Sequence, residues 1–270
     1  MIVSTQNRTQ FIHASKVDRH AECPARYAAE QGTGRATASA QQLEEGLLVH
    51  QILRDFCSPA KGVALGSNIG ELIESNSHRF ETFGERTGEI KEQARSALWS
   101  AQSAIQRLGV AVLAVEVSLC SSRMPVAVLP DTILPGLHLM LKGRIDAIGL
   151  TGNTLILIDW KTGRFVPTED GLTCLPSSTI YEFLAKHSFL REHGMLDVET
   201  IKIAQVQVPS GETVTTMLTN EQRDGSKALI REMAINLDAK TFPARRNTWC
   251  DWCPVNHACE LYQADVGDAF

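Results

Sequence analysis

Residues 141–163 read LKGRIDAIGLTGNTLILIDWKTG, and this stretch constrains the fold more than any other part of the chain. Two runs rich in strand-forming residues flank Thr151-Gly152-Asn153, a tight-turn signature. With Gly152 and Asn153 at the turn, cross-strand partners lie equally far from it, which sets Asp146 opposite Asp159 and Arg144 opposite Lys161. Strand alternation then points all four side chains to one face. Like charges directly opposite each other destabilise a sheet, and burial deepens the repulsion. A divalent metal bridging both carboxylates removes it. A lysine two residues on can orient a water or stabilise charge that develops during attack on phosphorus. The chemistry this pattern suits is metal-dependent phosphodiester hydrolysis.

A solvated surface hairpin, its aspartates paired with Arg144 and Lys161, is the plainer reading of so few residues taken alone. The unbroken run Leu155, Ile156, Leu157, Ile158 weighs against it. Such a run predicts a strand buried on both faces, with Asp159 at its end where an active site would lie. Upstream, residues 41–56 predict an amphipathic helix, with Leu43, Leu47, His50 and Arg54 at helical spacing and Leu48, Ile52 and Leu53 widening the apolar face. Residues 70–108 read as mostly helical, and Gly109 suits a left-handed cap. Further strands are expected at 110–119, 137–150, 154–160, 200–208 and 213–218, and further helices at 177–193 and 221–238. Residues 10–30 read as a polar entry and then a helix containing Cys23, Pro24 and Tyr27, followed by a small-residue loop at 34–39. The fold class is α/β: a central mixed β-sheet flanked by helices.

Gly143-Arg144-Ile145-Asp146 and Leu157-Ile158-Asp159-Trp160-Lys161-Thr162-Gly163 resemble the GRID and D-x-K-T-G motifs of RecB-type nucleases in the PD-(D/E)xK superfamily. Gly46-Leu47-Leu48-Val49-His50 is similar to the G-x-x-x-H motif of the same family. On its own, His50 reads more simply as a hydrogen-bonded helix residue; the family order of the three motifs makes it a metal ligand. The resemblance implies a restriction-endonuclease-like core in which His50, Asp146 and Asp159, with the backbone carbonyl of Trp160, hold Mn²⁺ or Mg²⁺, while Lys161 orients the attacking water. Glu116, on the preceding strand, resembles an acidic position seen there in the family and is expected behind the ligands. The family's Q-x-x-x-Y is only half present: Ser177 stands where the glutamine is usual and Tyr181 keeps the tyrosine. Tyr181 has an equally good reading as an amphipathic core residue.

The tail carries Cys250, Cys253 and Cys259, spaced C-x2-C-x5-C. Three thiolates that close together call for a soft metal or a cluster. Cys23, followed by Pro24, resembles the early cysteine of the iron–sulfur RecB-type nucleases, among them the AddB-type and CRISPR-associated exonucleases. That resemblance implies a [4Fe–4S] cluster held by Cys23, Cys250, Cys253 and Cys259, with a structural Zn²⁺ site that uses His257 or Cys23 as the rival. Joining residues so far apart in the chain would act as a staple. Cys57, Cys120 and Cys174 have no partner spacing and are expected to be small buried hydrophobes. The domain reading is a single nuclease domain over 1–270, with 12–35 and 240–262 forming the cluster subdomain around a 40–238 core.

The net charge of −5 gives no overall basic excess for a nucleic-acid partner, so DNA would have to be held by local patches. Residues 142–164 carry four basic side chains (Lys142, Arg144, Lys161, Arg164) against Asp146 and Asp159, and Arg245-Arg246 precede the cysteines. Nothing in these patches reads bases, which favours an exonuclease acting on single-stranded DNA or DNA ends in recombination, repair or CRISPR adaptation. A non-catalytic DNA-binding or scaffold protein that keeps the fold is the alternative. The chain has no P-loop, so a helicase or another recombination or CRISPR adaptation protein would supply any unwinding. The opening residues lack a charged and then apolar leader, and no apolar run approaches the ~18 residues of a membrane span. A cytoplasmic protein is expected.

Overall fold

The apolar second arm of the hairpin becomes a strand at the centre of a seven-stranded mixed sheet. The structure is a computed structural model that describes residues 7–33, 40–59, 68–129, 132–163 and 168–267. The loop expected at 34–39 and the basic Arg164 lie outside the described residues. In chain order the elements are β1 (Arg8–His13), α1 (Ala14–Glu22), α2 (Pro24–Thr33), α3 (Ala40–Cys57), α4 (Ile69–Ser75), α5 (Ser77–Phe80) and α6 (Thr87–Leu108). There follow β2 (Ala111–Cys120), β3 (Met124–Leu129), β4 (Thr132–Thr151), β5 (Thr154–Lys161), α7 (Glu169–Thr173) and α8 (Pro176–Leu184). A π-turn (Ala185–Phe189) leads into α9 (Leu190–Glu192), and then come β6 (Thr200–Gln207), β7 (Thr213–Thr216), α10 (Asn220–Ala239) and α11 (Glu260–Gly267). The mixed sheet with helices on both faces agrees with the α/β expectation.

β5 is buried on both faces because its apolar run divides between two layers. Leu155 and Leu157 pack with Val17 of α1, Ile180 and Leu184 of α8, and Ile230 and Met233 of α10. Ile156, Ile158 and Trp160 pack with Leu48 and Ile52 of α3 and with Ala94, Leu98 and Ile105 of α6. α6 stops at Gly109, which takes φ 61 and ψ 33 in the left-handed cap that its sequence announces.

Two strands depart from the sequence reading. Residues 8–13 form β1, parallel to β4, where a polar entry was expected; only Ile12 among them is fully buried, so alternation leaves almost no apolar signal. Cys23 lies between two helices, not within one, since it caps α1 in extended backbone and Pro24 opens α2. β3 is the other unexpected strand, a short antiparallel partner of β4 with Pro125 inside it and two register irregularities.

β4 carries partners along both edges, and this produces the site. On one edge it pairs with β3 and then β2; on the other it pairs with β1 as far as His13↔Lys142, and with β5 only from Ala147↔Ile158 onward. Gly143–Asp146 on that second edge therefore has no strand beside it. The sheet forks there, with α1 starting from the end of β1 and β5 running on beside β6.

Candidate active site

The hairpin register is as the sequence predicts through Ala147↔Ile158, but the next rung does not form. Asp159 and Lys161 pair instead with Gln205 and Gln207 of β6, and Arg144 pairs with Ser118 of β2, so Arg144 does not sit opposite Lys161. Asp146 itself occupies the missing rung: its Oδ2 accepts the main-chain N–H of Trp160 at 2.9 Å. The two aspartates are thus held at the open end of the hairpin, where the strands part.

Glu116 lies across β2 from Asp146, between the rungs Val115↔Ala147 and Val117↔Ile145. Its φ is 51°, in the left-handed region, which is uncommon for a non-glycine residue and rarer still within a strand. Side-chain alternation slips at this rung in both strands. Val117 and Ile145 pack on the α8 side, whereas Val115 and Ala147 pack on the α3 side. The slip turns both carboxylates toward the fork, and the Glu116 carboxylate also pairs with Arg144 at 3.0 Å.

His50 reaches the same point from α3. One helical turn before it, Gly46 lies so near β5's exit that an added Cβ would stand 3.2 Å from the Thr162 hydroxyl, so the spacing from Gly46 to His50 brings the imidazole over the carboxylates. Its Nδ1 is 3.6 Å from Asp146 Oδ2 and has no hydrogen bond. Burial lowers its pKa against the opposing charges of Asp159 and Glu116, which favours a neutral ring with a lone pair to donate. One ligand atom from each of His50, Glu116 and Asp146 lies within 4.8 Å of the others. The structure therefore brings Glu116 forward as a candidate ligand, where a supporting part behind the ligands was expected.

The remaining expected residues line, with His50 and Asp146, a cavity of about 720 Å³ that also contains His13, Lys142 and Arg144; Glu116 lies behind its lining. Asp159 bonds Lys161 at 2.7 Å. Burial works against the Lys161 ammonium, but Asp159, Asp146 and Asp18 outweigh it and raise its pKa. Burial and then the charge of Asp159 push the Asp146 carboxyl far above the usual carboxylate range. Tyr181 lies on the Gly143 backbone, where an added Cβ would come within 3.0 Å of the ring, and burial keeps its phenol neutral. The arrangement is a set of acids that resist joint ionisation, beside a neutral imidazole and a charged lysine, and it has the donor set of a hard divalent cation.

Ser177, in the position usual for glutamine, bonds to a residue that the sequence did not mark. Its N–H and hydroxyl both donate to Asp18 of α1, at 2.9 and 2.6 Å. Burial raises the Asp18 pKa, while the Ser177 bonds and the charge of Lys161 hold it down. No pattern around Asp18 could have revealed this, because its partner lies 159 positions away.

Cys23, Cys250, Cys253 and Cys259 line one cavity of about 450 Å³, with Trp249 at its wall. Main-chain N–H groups of Arg245 and Asn247 donate to the sulfurs of Cys23 and Cys250, each at 3.4 Å. His257 does not line the cavity, and among the described residues no three cysteine sulfurs come within 4.8 Å of one another. Cys57 is buried, as expected, and burial pushes its thiol pKa up to about 12. Cys120 and Cys174 are exposed, contrary to expectation, because each falls at the end of an element where nothing covers it.

A family profile described as the PD-(D/E)XK nuclease superfamily matches residues 13–260, a span that begins at the end of β1 and includes every site residue above. The chain belongs to the PD-(D/E)XK nuclease superfamily. A comparison with curated proteins finds no match. Among solved structures, one described as "Crystal structure of SSO0001" is similar, with 14% identity and a TM-score of 0.42 over 93% of this chain and 86% of that one. Asp146 lies in the fork, and Asp159 and Lys161 lie at the end of β5. No helix among the described residues is long and apolar enough to cross a membrane.

Proposed function

We propose that this PD-(D/E)XK protein is a metal-dependent DNA exonuclease of the RecB-like kind, acting on single-stranded DNA or DNA ends. The observation that carries the reading is the convergence of His50, Glu116 and Asp146 beside the Asp159–Lys161 pair. His50, Asp146 and Asp159, with Glu116 and the Trp160 carbonyl as further oxygen donors, would hold Mn²⁺ or Mg²⁺, and a cation held there would neutralise the crowded carboxylates and polarise a bound phosphate. Lys161, kept charged by its acidic neighbours, orients the attacking water and faces the charge that develops on the phosphate. Lys142 and Arg144 hold the flanking phosphates, and Tyr181 fixes the floor of the cavity against β4.

The reading extends to a [4Fe–4S] cluster on Cys23, Cys250, Cys253 and Cys259. What supports a shared metal-binding role is that all four line one cavity, with main-chain N–H donors at the sulfurs of Cys23 and Cys250; the cluster is preferred to Zn²⁺ on the resemblance of the four-cysteine arrangement to the iron–sulfur nucleases. N–H donors to the sulfurs are a usual means of stabilising cluster thiolates. Residues 12–35 and 240–262 then act as a cluster subdomain, tied by Ala25 to Pro243, Asn247 to Glu22 and Arg245 to Ala21. Unwinding of duplex DNA falls to a helicase or another recombination or CRISPR adaptation protein.

Two measurements test the reading. Mn²⁺-dependent degradation of labelled single-stranded DNA should occur with wild type and be lost in Asp159→Ala and Lys161→Ala; equal degradation by all three would refute the site. Anaerobically purified protein should be brown and contain iron. Colourless protein that contains zinc would replace the cluster with the rival metal.

A further inference from the structure

Leu43, Leu47 and His50 form one stripe along α3, at spacings of four and three residues. The core is built from the neighbouring stripe of Leu48, Val49, Ile52 and Leu53, and Leu43 and Leu47 are left 52% and 53% exposed. They form one wall of a groove of about 1180 Å³; Gln93 and Ala97 of α6 form another, and Val208 and Pro209 the end. The groove shares His50, Thr162 and Gly163 with the active-site cavity, so the two depressions adjoin at these residues.

Their charges differ. Lys142, Arg144 and Lys161 line the active-site cavity. The described lining of the groove contains no lysine or arginine, and its one acid, Glu45, is paired with Arg86. A phosphodiester chain that crosses from one to the other meets cations first, and then apolar walls with the amide of Gln93 and the hydroxyl of Ser96. Phosphates fit the first environment and nucleobases the second.

We propose that the groove beside α3 is a subsite for unpaired nucleobases of the DNA strand whose phosphate lies at His50. The proposal rests on the nuclease reading and deepens it by naming the surface that contacts the unpaired bases. Paired and stacked bases cannot leave the duplex to enter the groove, so a single strand or a frayed end is bound in preference.

Binding in EDTA tests this without cleavage. The probe is a single-stranded oligonucleotide carrying 2-aminopurine, with an otherwise identical oligonucleotide carrying abasic residues as competitor. Wild type should bind the intact strand about tenfold more tightly than the abasic one, a preference of the size expected for burying part of one base against aliphatic side chains. Leu47→Ser and Leu43→Ser, both at exposed positions, should each cut that preference at least threefold, with thermal unfolding measured in parallel to confirm folding. Equal binding of intact and abasic strands by wild type overturns the subsite. So does an undiminished preference in both variants, or a change in oligomeric state in place of DNA affinity, which would make the groove an interface between copies. If wild type shows the base preference but never cuts DNA with Mn²⁺, the nuclease reading fails and the subsite stands. If it cuts intact and abasic strands equally well and binds them equally, the subsite fails alone.

Discussion

Replacing Glu116 by glycine should stabilise the protein without metal and destabilise it relative to wild type when metal is present. Glu116 holds φ 51° in the middle of β2, and its carboxylate faces Asp146 within 4.8 Å. Releasing a non-glycine residue from the left-handed region recovers about 1–2 kcal/mol. Glycine's extra freedom in the unfolded chain takes back about 0.5–1 kcal/mol, and loss of the partly exposed pair with Arg144 takes back about 0.5 kcal/mol. Removing the carboxylate that faces Asp146 returns about 1 kcal/mol at pH 8, where Asp146 is ionised. The net is a gain of about 1 kcal/mol, or a rise of about 2–4 °C in Tm for a domain of this size. The assay is thermal unfolding in EDTA and then in Mn²⁺. Wild type should gain about 2.7 kcal/mol at a metal concentration one hundred times its Kd, and the variant much less, so that the order of stability inverts. Glu116→Gln separates the two effects, since it removes the charge and keeps the backbone strain; glycine should exceed it by about 0.5–1 kcal/mol in EDTA. A glycine variant that is less stable than wild type in EDTA would refute the strain, and one that gains as much from Mn²⁺ would refute the ligand role.

Three further outcomes are expected. In EDTA, Asp146→Asn should gain on wild type in Tm between about pH 5 and pH 8. The raised pKa of the folded-state Asp146 lets the native protein keep a proton that the unfolded chain has released, so wild type loses that stability as pH rises; a constant difference in Tm across that range would contradict this. Asp18→Asn should leave Tm within about 2 °C, because the asparagine oxygen still accepts from the Ser177 N–H and its amide can donate to the Ser177 hydroxyl, yet lower kcat at least tenfold with little change in KM by removing a charge that faces Lys161; an unchanged kcat would make Asp18 a helix cap and nothing more. Cys250→Ser should lower Tm by 5 °C or more if the cysteine cavity staples the chain, and unchanged folding would exclude the staple.

How much of this was legible in the sequence depends on the range over which each feature is determined. The β4–β5 register is a local property of a Gly-Asn turn between apolar runs, and it was readable to the last rung that forms. The failure of the next rung was not, because Asp146 takes the Trp160 N–H only once β1 has ended and left that edge open. The three late cysteines were readable as a ligand set from their spacing, whereas Cys23 was joined to them only by its resemblance to the early cysteine of the iron–sulfur nucleases; the structure brings all four to one cavity. Glu116 was visible as an acid but not as a ligand candidate, for its importance comes from a backbone angle and a cross-strand neighbour 30 positions away. The stripe of Leu43, Leu47 and His50 shows the limit most plainly. Helical periodicity identifies an apolar face and cannot say which part of it the core uses. On α3 the core takes the adjacent stripe, and the leucines left over border the one residue of that helix that chemistry would put in contact with a phosphate. An apolar residue that periodicity assigns to the core and the fold leaves exposed beside a reactive group is therefore better evidence for a binding surface than an exposed leucine elsewhere, since nothing in the packing of this helix accounts for it.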